Sequence, residues 1–192
     1  IDPHAPGVLQ PTLWESQPGR VHMFLRSSSR GKRSVITRSD SMDGGHSWTA
    51  AKRTALPNNN CGVDIARLPF SGTLVLAYNP VTDHRTPLQV AISTDNGETW
   101  ECGHNIETEL GKSGMGHGKD HEFSYPAIVP WPTYSQHQTD DVGRASLSEE
   151  GFTLVYTWHR TRIAFLSMSL TEFRSKCIPL EDLLFGLSKE LA

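Results

Sequence analysis

The chain has 192 residues, of which 36% are hydrophobic and 20% charged, and its formal net charge is −3. This length is sufficient for one domain with a sizeable core, and the charge balance excludes the clustered basic surface of nucleic-acid-binding domains. No apolar run is longer than a strand, so no membrane-spanning helix is predicted.

A repeated octet divides the first hundred residues into two similar units. The octets read SMDGGHSW (41–48) and STDNGETW (93–100), and the second begins 52 residues after the first. Two runs rich in β-branched or aromatic residues precede each octet and are bounded by turn-forming residues, which predicts strands. These runs are 21–27 and 33–39 in the first unit and 72–79 and 87–93 in the second, with a further short strand at 63–68.

A third unit follows without an octet. It contains three predicted strands, separated after the first by a polar stretch without periodicity, 133–150, which is expected to be a loop. The strands are expected at 124–131, 151–160 and 162–170. The last segment has apolar spacing that suits a helix, with Leu180, Leu183, Leu184 and Leu187 on one face.

The sequence therefore predicts an all-β chain with about three units, each of roughly four strands and ~50 residues, which fits the blade period of a β-propeller. The units fall at about 10–55, 56–105 and 120–175 of a single domain spanning 1–192, with a short helical tail at 176–192.

Turn chemistry accounts for the octet. Asp and Ser side chains accept hydrogen bonds from turn amides, Gly permits positive φ, and Trp buries a ring against a neighbouring sheet. Asp-Gly alone marks any hairpin, but two octets in register indicate a repeated structural device. Its residues are Ser41, Asp43, Gly45 and Trp48, and Ser93, Asp95, Gly97 and Trp100.

The octets resemble the Asp-box, or BNR, repeats of sialidase (neuraminidase)-like six-bladed β-propellers. Longer stretches share this resemblance, which covers about 10–168 and includes QPTLW, FLRSS, LPNNNCGVDIARL, VLAYNP, RTPLQVAIS, EFSYPAI and YTWHRTRI. The resemblance implies that the Asp boxes are structural hairpins away from the catalytic face. Six blades need roughly 300 residues, so we expect a processed or C-terminal part of a longer protein, or a chain that closes by association.

In that family, arginines hold a substrate carboxylate, a Tyr paired with a Glu is the nucleophile, and an Asp is the acid/base. The resemblance proposes Tyr125, Glu122 and Asp64 as catalytic residues. Phe123-Ser124 stands where the family often has Tyr-Ser, so either Tyr125 takes that role or the covalent chemistry is absent. The substrate-binding candidates are Arg26, Arg85, Arg160, Arg162 and Asn79. Strand alternation places Arg160 and Arg162 on the same face of a strand.

Each candidate has a structural alternative. The arginines suit surface salt bridges, Tyr125 an edge-strand aromatic, and the run Asn58 to Asn60 an Asx-type turn. Metal binding by His117 and His121 is disfavoured, since Gly-rich sequence does not hold them on a helix; a loop over the active face is the alternative. No metal or cofactor is predicted.

The three cysteines, Cys61, Cys102 and Cys177, have no CxxC spacing, which argues against zinc and favours free thiols.

Three functions remain open: an exo-acting sialidase-like glycoside hydrolase, a lyase that cleaves acidic polysaccharides, and a non-catalytic carbohydrate-binding or interaction module. The expected partner is a carbohydrate substrate, sialic acid or another acidic glycan, with no nucleic acid and no membrane span.

Overall fold

The computed structural model describes residues 7–28, 30–31, 33–108, 122–139 and 145–183; within the strands, the side chains of 135–139 and 145–148 are not described. The four strands of the first sheet, sheet A, follow one another in space as they do in sequence. They are β1 (Val8–Gln17), β2 (Arg20–Ser27), β3 (Val35–Ser41) and β4 (Lys52–Pro57), and each pairs antiparallel with the next.

Sheet B begins with four strands in the same serial order. They are β5 (Asp64–Arg67), β6 (Leu74–Tyr78), β7 (Leu88–Ser93) and β8 (Cys102–Glu107). The predicted 52-residue repeat is visible here, because residues 24–26 lie in the second strand of sheet A and 76–78 in the second strand of sheet B.

Sheet C is an antiparallel arrangement of β9 (Phe123–Thr139), β10 (Ala145–Trp158) and β11 (Arg162–Ser169). The predicted loop at 133–150 is wrong in extent, because β9 and β10 continue through much of it as a long hairpin. Mutual backbone pairing, such as Ala145 with Thr139, satisfies polar groups there without apolar side chains.

The helix α1 (Leu170–Lys176) lies upstream of the predicted helical tail. Ser169 caps it by accepting a hydrogen bond from the Glu172 N–H at 3.1 Å, and Phe173 is buried. The Ser-x-x-Glu sequence at 169–172 is the local signal for this start. Residues 180–183 are also helical, but Leu184 and Leu187 lie outside the described residues.

The short strand β12 (Ile178–Pro179) returns to sheet B and pairs with β8, so the three sheets hold four, five and three strands among the described residues. A disulfide joins Cys102 of β8 to Cys177, while the buried Cys61 is a free thiol. The prediction of three free thiols is therefore wrong, because pairing of β12 with β8 brings together two cysteines 75 residues apart.

Sheet B lies between two hydrophobic cores. Alternation along β6 sends Leu74, Leu76 and Tyr78 to the core shared with sheet A, and Val75 and Ala77 to the core shared with sheet C. Trp14, Phe24 and Ile36 complete the first core, and Phe123, Phe152 and Leu154 the second. The all-β fold predicted from the sequence is confirmed, and no helix among the described residues is long and apolar enough to cross a membrane.

The first octet closes the turn between β3 and β4 with its own side chains. Ser41 Oγ donates to Asp43 Oδ1 at 2.7 Å and accepts from the Gly45 N–H at 2.8 Å. Asp43 accepts from the N–H and hydroxyl of Ser47 at 2.8 and 2.6 Å, and these bonds hold the pKa of its carboxyl far below its usual range. Gly45 has a φ of 91°, which a side chain would strain.

The second octet repeats these bonds between β7 and β8. Ser93 Oγ donates to Asp95 at 2.8 Å and accepts from the Gly97 N–H at 2.9 Å, and Asp95 accepts from Thr99. The Trp residues differ, however. Trp100 packs into the core between sheets A and B, whereas the Trp48 indole donates to the Gly45 carbonyl of its own turn at 2.9 Å.

Candidate functional site

Three segments meet at Glu122, which directly precedes β9. The Phe123 N–H donates to the carbonyl of Arg85, in the loop between β6 and β7, at 2.9 Å. The His159 N–H, in the turn between β10 and β11, donates to the Glu122 carbonyl at 2.7 Å. Backbone bonds therefore place the side chains of Arg85, Glu122 and the turn next to one another.

The Glu122 carboxylate is fully engaged. Its Oε1 accepts from Arg85 Nη1 and Ser124 Oγ, both at 2.5 Å, and its Oε2 accepts from Arg160 Nε at 2.6 Å. The Glu122 side chain is 8% exposed, Arg85 13% and Arg160 51%. Burial works to raise the pKa of Glu122, but bonds from Ser124 and the two arginines outweigh it and hold the pKa below its usual range.

Tyr125 is the exposed aromatic of this cluster, with 48% of its surface accessible. Its φ of 52° lies in the left-handed region, which non-glycine residues adopt uncommonly. Strained conformations of this kind occur often at functional sites. The ring lies over Gly62, where a Cβ would come within 3.5 Å of Tyr125 Cδ1, and the Arg85 guanidinium carbon is 5.4 Å from the ring centroid. A Cβ at position 62 would therefore be in ordinary van der Waals contact with the ring.

Arg26, at the end of β2, adds a second partly buried guanidinium. Its Nε and Nη1, and Nε of Arg85, are buried and have no hydrogen-bond partner among the described residues. Burial raises the pKa of the buried Cys61 thiol, and the charges of Arg85 and Arg26 act against that rise. Buried N–H donors without acceptors, in a cluster with excess positive charge, are suited to an anionic ligand.

Asp64, predicted as an acid, connects the three sheets. From β5 its Oδ1 accepts from Thr12 Oγ1 of β1 at 2.6 Å, and its Oδ2 accepts from the Ile128 N–H of β9 at 2.7 Å. Each carboxylate oxygen thus accepts a hydrogen bond from a different sheet, which suits a structural role.

The asparagines bond to backbone. Asn58 Oδ1 accepts from the Ser27 and Asn60 N–H groups at 3.1 Å each, and its Nδ2 donates to the Cys61 carbonyl at 3.0 Å. These bonds form an Asx-type turn, which is the structural alternative predicted from the sequence. Asn79 is buried and donates to the Pro87 and Phe123 carbonyls at 2.8 and 3.0 Å, which fixes the Arg85 loop against β9.

Arg160 and Arg162 do not share a strand, so the expectation from alternation is wrong. Arg160 lies in the turn, where it and His159 have φ values of 54° and 50°, and it reaches back to Glu122. Arg162 begins β11 and stacks its guanidinium 4.0 Å from the Trp158 ring centroid. Only Arg160 therefore joins the cluster around Glu122.

Sequence reasoning overlooked Ser124 and Thr12. Ser124 is fully buried and bonds to Glu122 two residues away, a contact that extended-chain alternation could have suggested. Thr12 contacts Asp64 across 52 residues and left no local signal. His117 and His121 lie outside the described residues.

A cleft of about 620 Å³ lies away from this cluster, between sheets A and B. Its charged lining is balanced, with Arg38, Lys52 and Arg53 against Asp40, Glu98 and Glu181. The arginine-rich cluster is the better candidate for an anionic ligand because its positive charge is not balanced by the residues that the structure describes, and its unpaired donor atoms are buried.

The family is shown by comparison with known proteins. Residues 1–137 match the model of the BNR repeat-like domain, so the chain belongs to that family. A search of curated proteins gives no match.

Solved sialidases share the fold. A Hadza microbial sialidase is 16% identical with a TM-score of 0.60, over 86% of this chain and 28% of its own. The intramolecular trans-sialidase of Ruminococcus gnavus is 16% identical with a TM-score of 0.57, over 92% of this chain and 35% of its own. The NanB sialidase of Streptococcus pneumoniae is 12% identical with a TM-score of 0.54, and the match covers 88% of this chain and 24% of the sialidase. The chain spans about a quarter to a third of these proteins.

Proposed function

We propose that this chain supplies the carboxylate-binding part of a sialidase-like glycoside hydrolase acting on terminal acidic sugars. The observation that carries the proposal is a pair of partly buried guanidiniums, Arg26 and Arg85, whose buried N–H groups have no acceptor among the described residues; Arg85 lies beside the exposed Tyr125. A planar guanidinium matches a carboxylate with two parallel hydrogen bonds, and burial strengthens that pairing.

Glu122 has a positioning role in this proposal. Its two oxygens hold Arg85 and Arg160, and its low pKa keeps it ionised, so it is poorly suited to accept a proton from a substrate or a phenol. Arg160 is half-exposed and able to reorient toward a ligand, whereas Arg85 is fixed on the buried side of the same carboxylate.

Tyr125 is the proposed nucleophile, because its side chain is exposed beside Arg85, while Phe123 is fully buried and has no hydroxyl. Covalent catalysis by a phenol needs a base that removes its proton during attack. We propose that this base is supplied by a residue other than Glu122 and Asp64, whose oxygens are already engaged.

We further propose that the three sheets are neighbouring blades of a sialidase-type propeller. The outer faces of the terminal sheets support this: Phe165 and Ile163 of sheet C are 70% and 69% exposed, and Leu13 of sheet A is 50% exposed. Extended apolar faces usually pack against a partner. Further sheets, from a longer chain or a second copy, would cover both faces.

A second candidate is a non-catalytic carbohydrate-binding module. It is favoured by the engagement of Asp64 and Glu122, which leaves neither predicted carboxyl group free for acid/base chemistry. In that case the arginine cluster binds an acidic sugar and releases it unchanged.

Binding of N-acetylneuraminic acid, followed by saturation-transfer NMR, tests the shared part of both candidates. We expect binding that is lost in Arg85→Ala and in Arg26→Ala and retained in Arg174→Ala, an exposed arginine on α1. Loss in all three variants, or no binding to the folded protein, contradicts the carboxylate site.

Turnover of a fluorogenic sialoside then separates the functions. Release of the fluorophore that Tyr125→Phe abolishes supports the hydrolase, and binding without release supports the module. Ultraviolet absorbance from an unsaturated uronate, produced from an acidic polysaccharide, would favour the lyase instead.

A further inference from the structure

A second chemical cluster lies at the other end of sheet A, near the first octet. Ser16 Oγ is 2.7 Å from His22 Nε2, and His22 Nδ1 is 2.6 Å from Asp40 Oδ1. The residues come from β1, β2 and β3 and form a hydrogen-bonded series of hydroxyl, imidazole and carboxylate. This order is the arrangement of a nucleophile, a base and a group that orients the base.

Arg38 contacts both the carboxylate and the imidazole of this series. Its Nε donates to Asp40 Oδ1 at 2.9 Å, and its Nη2 is 3.2 Å from His22 Nδ1. Although burial acts to raise the pKa of Asp40, its bonds with His22 and Arg38 hold the pKa below its usual range. In the tautomer that carries the proton on Nδ1, His22 donates to the ionised Asp40, and Nε2 accepts from the Ser16 hydroxyl.

An irregularity in the β1–β2 ladder places the serine. The register shifts between Glu15 and Gln17, so Ser16 is the additional residue of a bulge. Bulges redirect a side chain that regular alternation would place elsewhere. Trp14 stacks on His22, with ring centroids 5.0 Å apart, and holds the imidazole from one side.

Asn96 is positioned to stabilise negative charge beside the serine. Its Nδ2 is 3.2 Å from His22 Nε2, and its Oδ1 accepts from the Trp14 indole at 2.7 Å, which orients the amide. Ser16 and Asn96 both line an open cleft of about 320 Å³, together with Arg20 and Arg67. The serine is therefore accessible to a small molecule, and the two guanidiniums favour one that carries an anion.

We propose that Ser16, His22 and Asp40 form an esterase site for small esters that carry an anionic group. Ser16 Oγ attacks the ester carbonyl carbon while its proton passes to His22 Nε2, and Asn96 Nδ2 donates to the oxyanion. The carbon–oxygen bond of the ester breaks, and the leaving alcohol takes the proton from Nε2. Water then attacks the acyl-serine through the same base, releases the acid and restores the Ser16 hydroxyl.

Covalent labelling of the intact protein tests this site independently of sialoside turnover. We expect a fluorophosphonate probe to modify Ser16, mapped by mass spectrometry, and Ser16→Ala to lose the label and to lower hydrolysis of 4-nitrophenyl acetate at least about 100-fold. Ser167→Ala, which removes an exposed hydroxyl on β11, serves as the matched control. This variant should keep both the labelling by the probe and the hydrolysis of 4-nitrophenyl acetate.

The base and the anion preference provide two further readouts. Asp40→Asn and His22→Gln, each verified as folded by near-ultraviolet circular dichroism, should abolish labelling. Arg67→Met should reduce hydrolysis of 4-nitrophenyl hemisuccinate more than that of the neutral acetate. Failure of the folded protein to react with the probe, or undiminished labelling in folded His22→Gln, would overturn the proposal.

Discussion

The Asp64 carboxylate accepts a 2.7 Å hydrogen bond from the backbone N–H of Ile128, 64 residues further along the chain. Its other oxygen accepts from Thr12, so one side chain of sheet B is bonded to both neighbouring sheets. Sheets that pack mainly through apolar side chains have few directional contacts, and Asp64 provides two between sheets.

The first prediction is that Asp64→Asn destabilises the fold. The amide nitrogen of Asn cannot accept a hydrogen bond, so either Thr12 or Ile128 loses its acceptor, at a cost of about 2 kcal/mol. Urea unfolding measures this, with Asp182→Asn, at an exposed position, as control. Wild-type stability combined with lost sialoside turnover would instead support the acid role first predicted for Asp64.

The second prediction concerns pH. Because folding lowers the pKa of Glu122, its contribution to stability is complete above the pKa of an unfolded Glu, about 4.3, and is lost as the pH falls through the lower folded value. Urea unfolding at a series of pH values from about 6 down to about 2 should show this loss as a falling free energy of unfolding.

Glu122→Gln isolates that effect. Removing one partner of the buried pair leaves Arg85 without a counter-charge, and we expect a loss of about 3 kcal/mol near neutral pH. The part of the acid-induced loss that belongs to Glu122 should disappear in this variant. Glu149→Gln, at an exposed position on β10, is the control, and an unchanged acid profile in Glu122→Gln would contradict the prediction.

The third prediction separates the octets from the arginine cluster. Ser93→Ala removes the acceptor of the Gly97 N–H and a donor to Asp95, and should lower stability by about 1–2 kcal/mol. Binding of N-acetylneuraminic acid by the folded variant should be unchanged, since this turn lies at the opposite end of the strands. Ser175→Ala, an exposed serine of α1, is the control; loss of binding without loss of stability would contradict a structural role.

The fourth prediction is that the Cys102–Cys177 bond stabilises the fold. It closes a loop of 75 residues, for which chain entropy gives about 4 kcal/mol. Thermal unfolding with and without reductant measures the effect, and a Cys102→Ser/Cys177→Ser variant should be insensitive to reductant. Denatured, unreduced protein should titrate one thiol, from Cys61; three thiols would contradict the pairing.

Local features of the fold were readable from the sequence. The β-branched runs at 21–27, 72–79 and 87–93 are strands in the structure, and the Ser and Asp residues of both octets bond within their own turns. The Ser-x-x-Glu start of α1 was present but overlooked. The long hairpin of sheet C could not be read from apolar periodicity, because its outer part is polar.

The site was predicted only as a set of residue types. The sequence named Arg26, Arg85, Glu122, Tyr125 and Arg160 through a family resemblance, but not that Glu122 is shared by two arginines or that Arg162 stacks on Trp158 instead. Ser16, His22 and Asp40 were not named at all, because a bulge creates their alignment and no spacing in the chain predicts it.

Sequence alone thus determined what depends on neighbours within a few residues: strands from side-chain alternation, and octet turns from Ser, Asp and Gly chemistry. Tertiary structure decided what depends on residues far apart in the chain. Glu122 meets Arg85 across 37 residues and Cys102 meets Cys177 across 75, because sheet packing and the return of β12 bring them together. The physical reason is that hydrogen bonds and charge pairing require contact in space, which local sequence patterns do not specify.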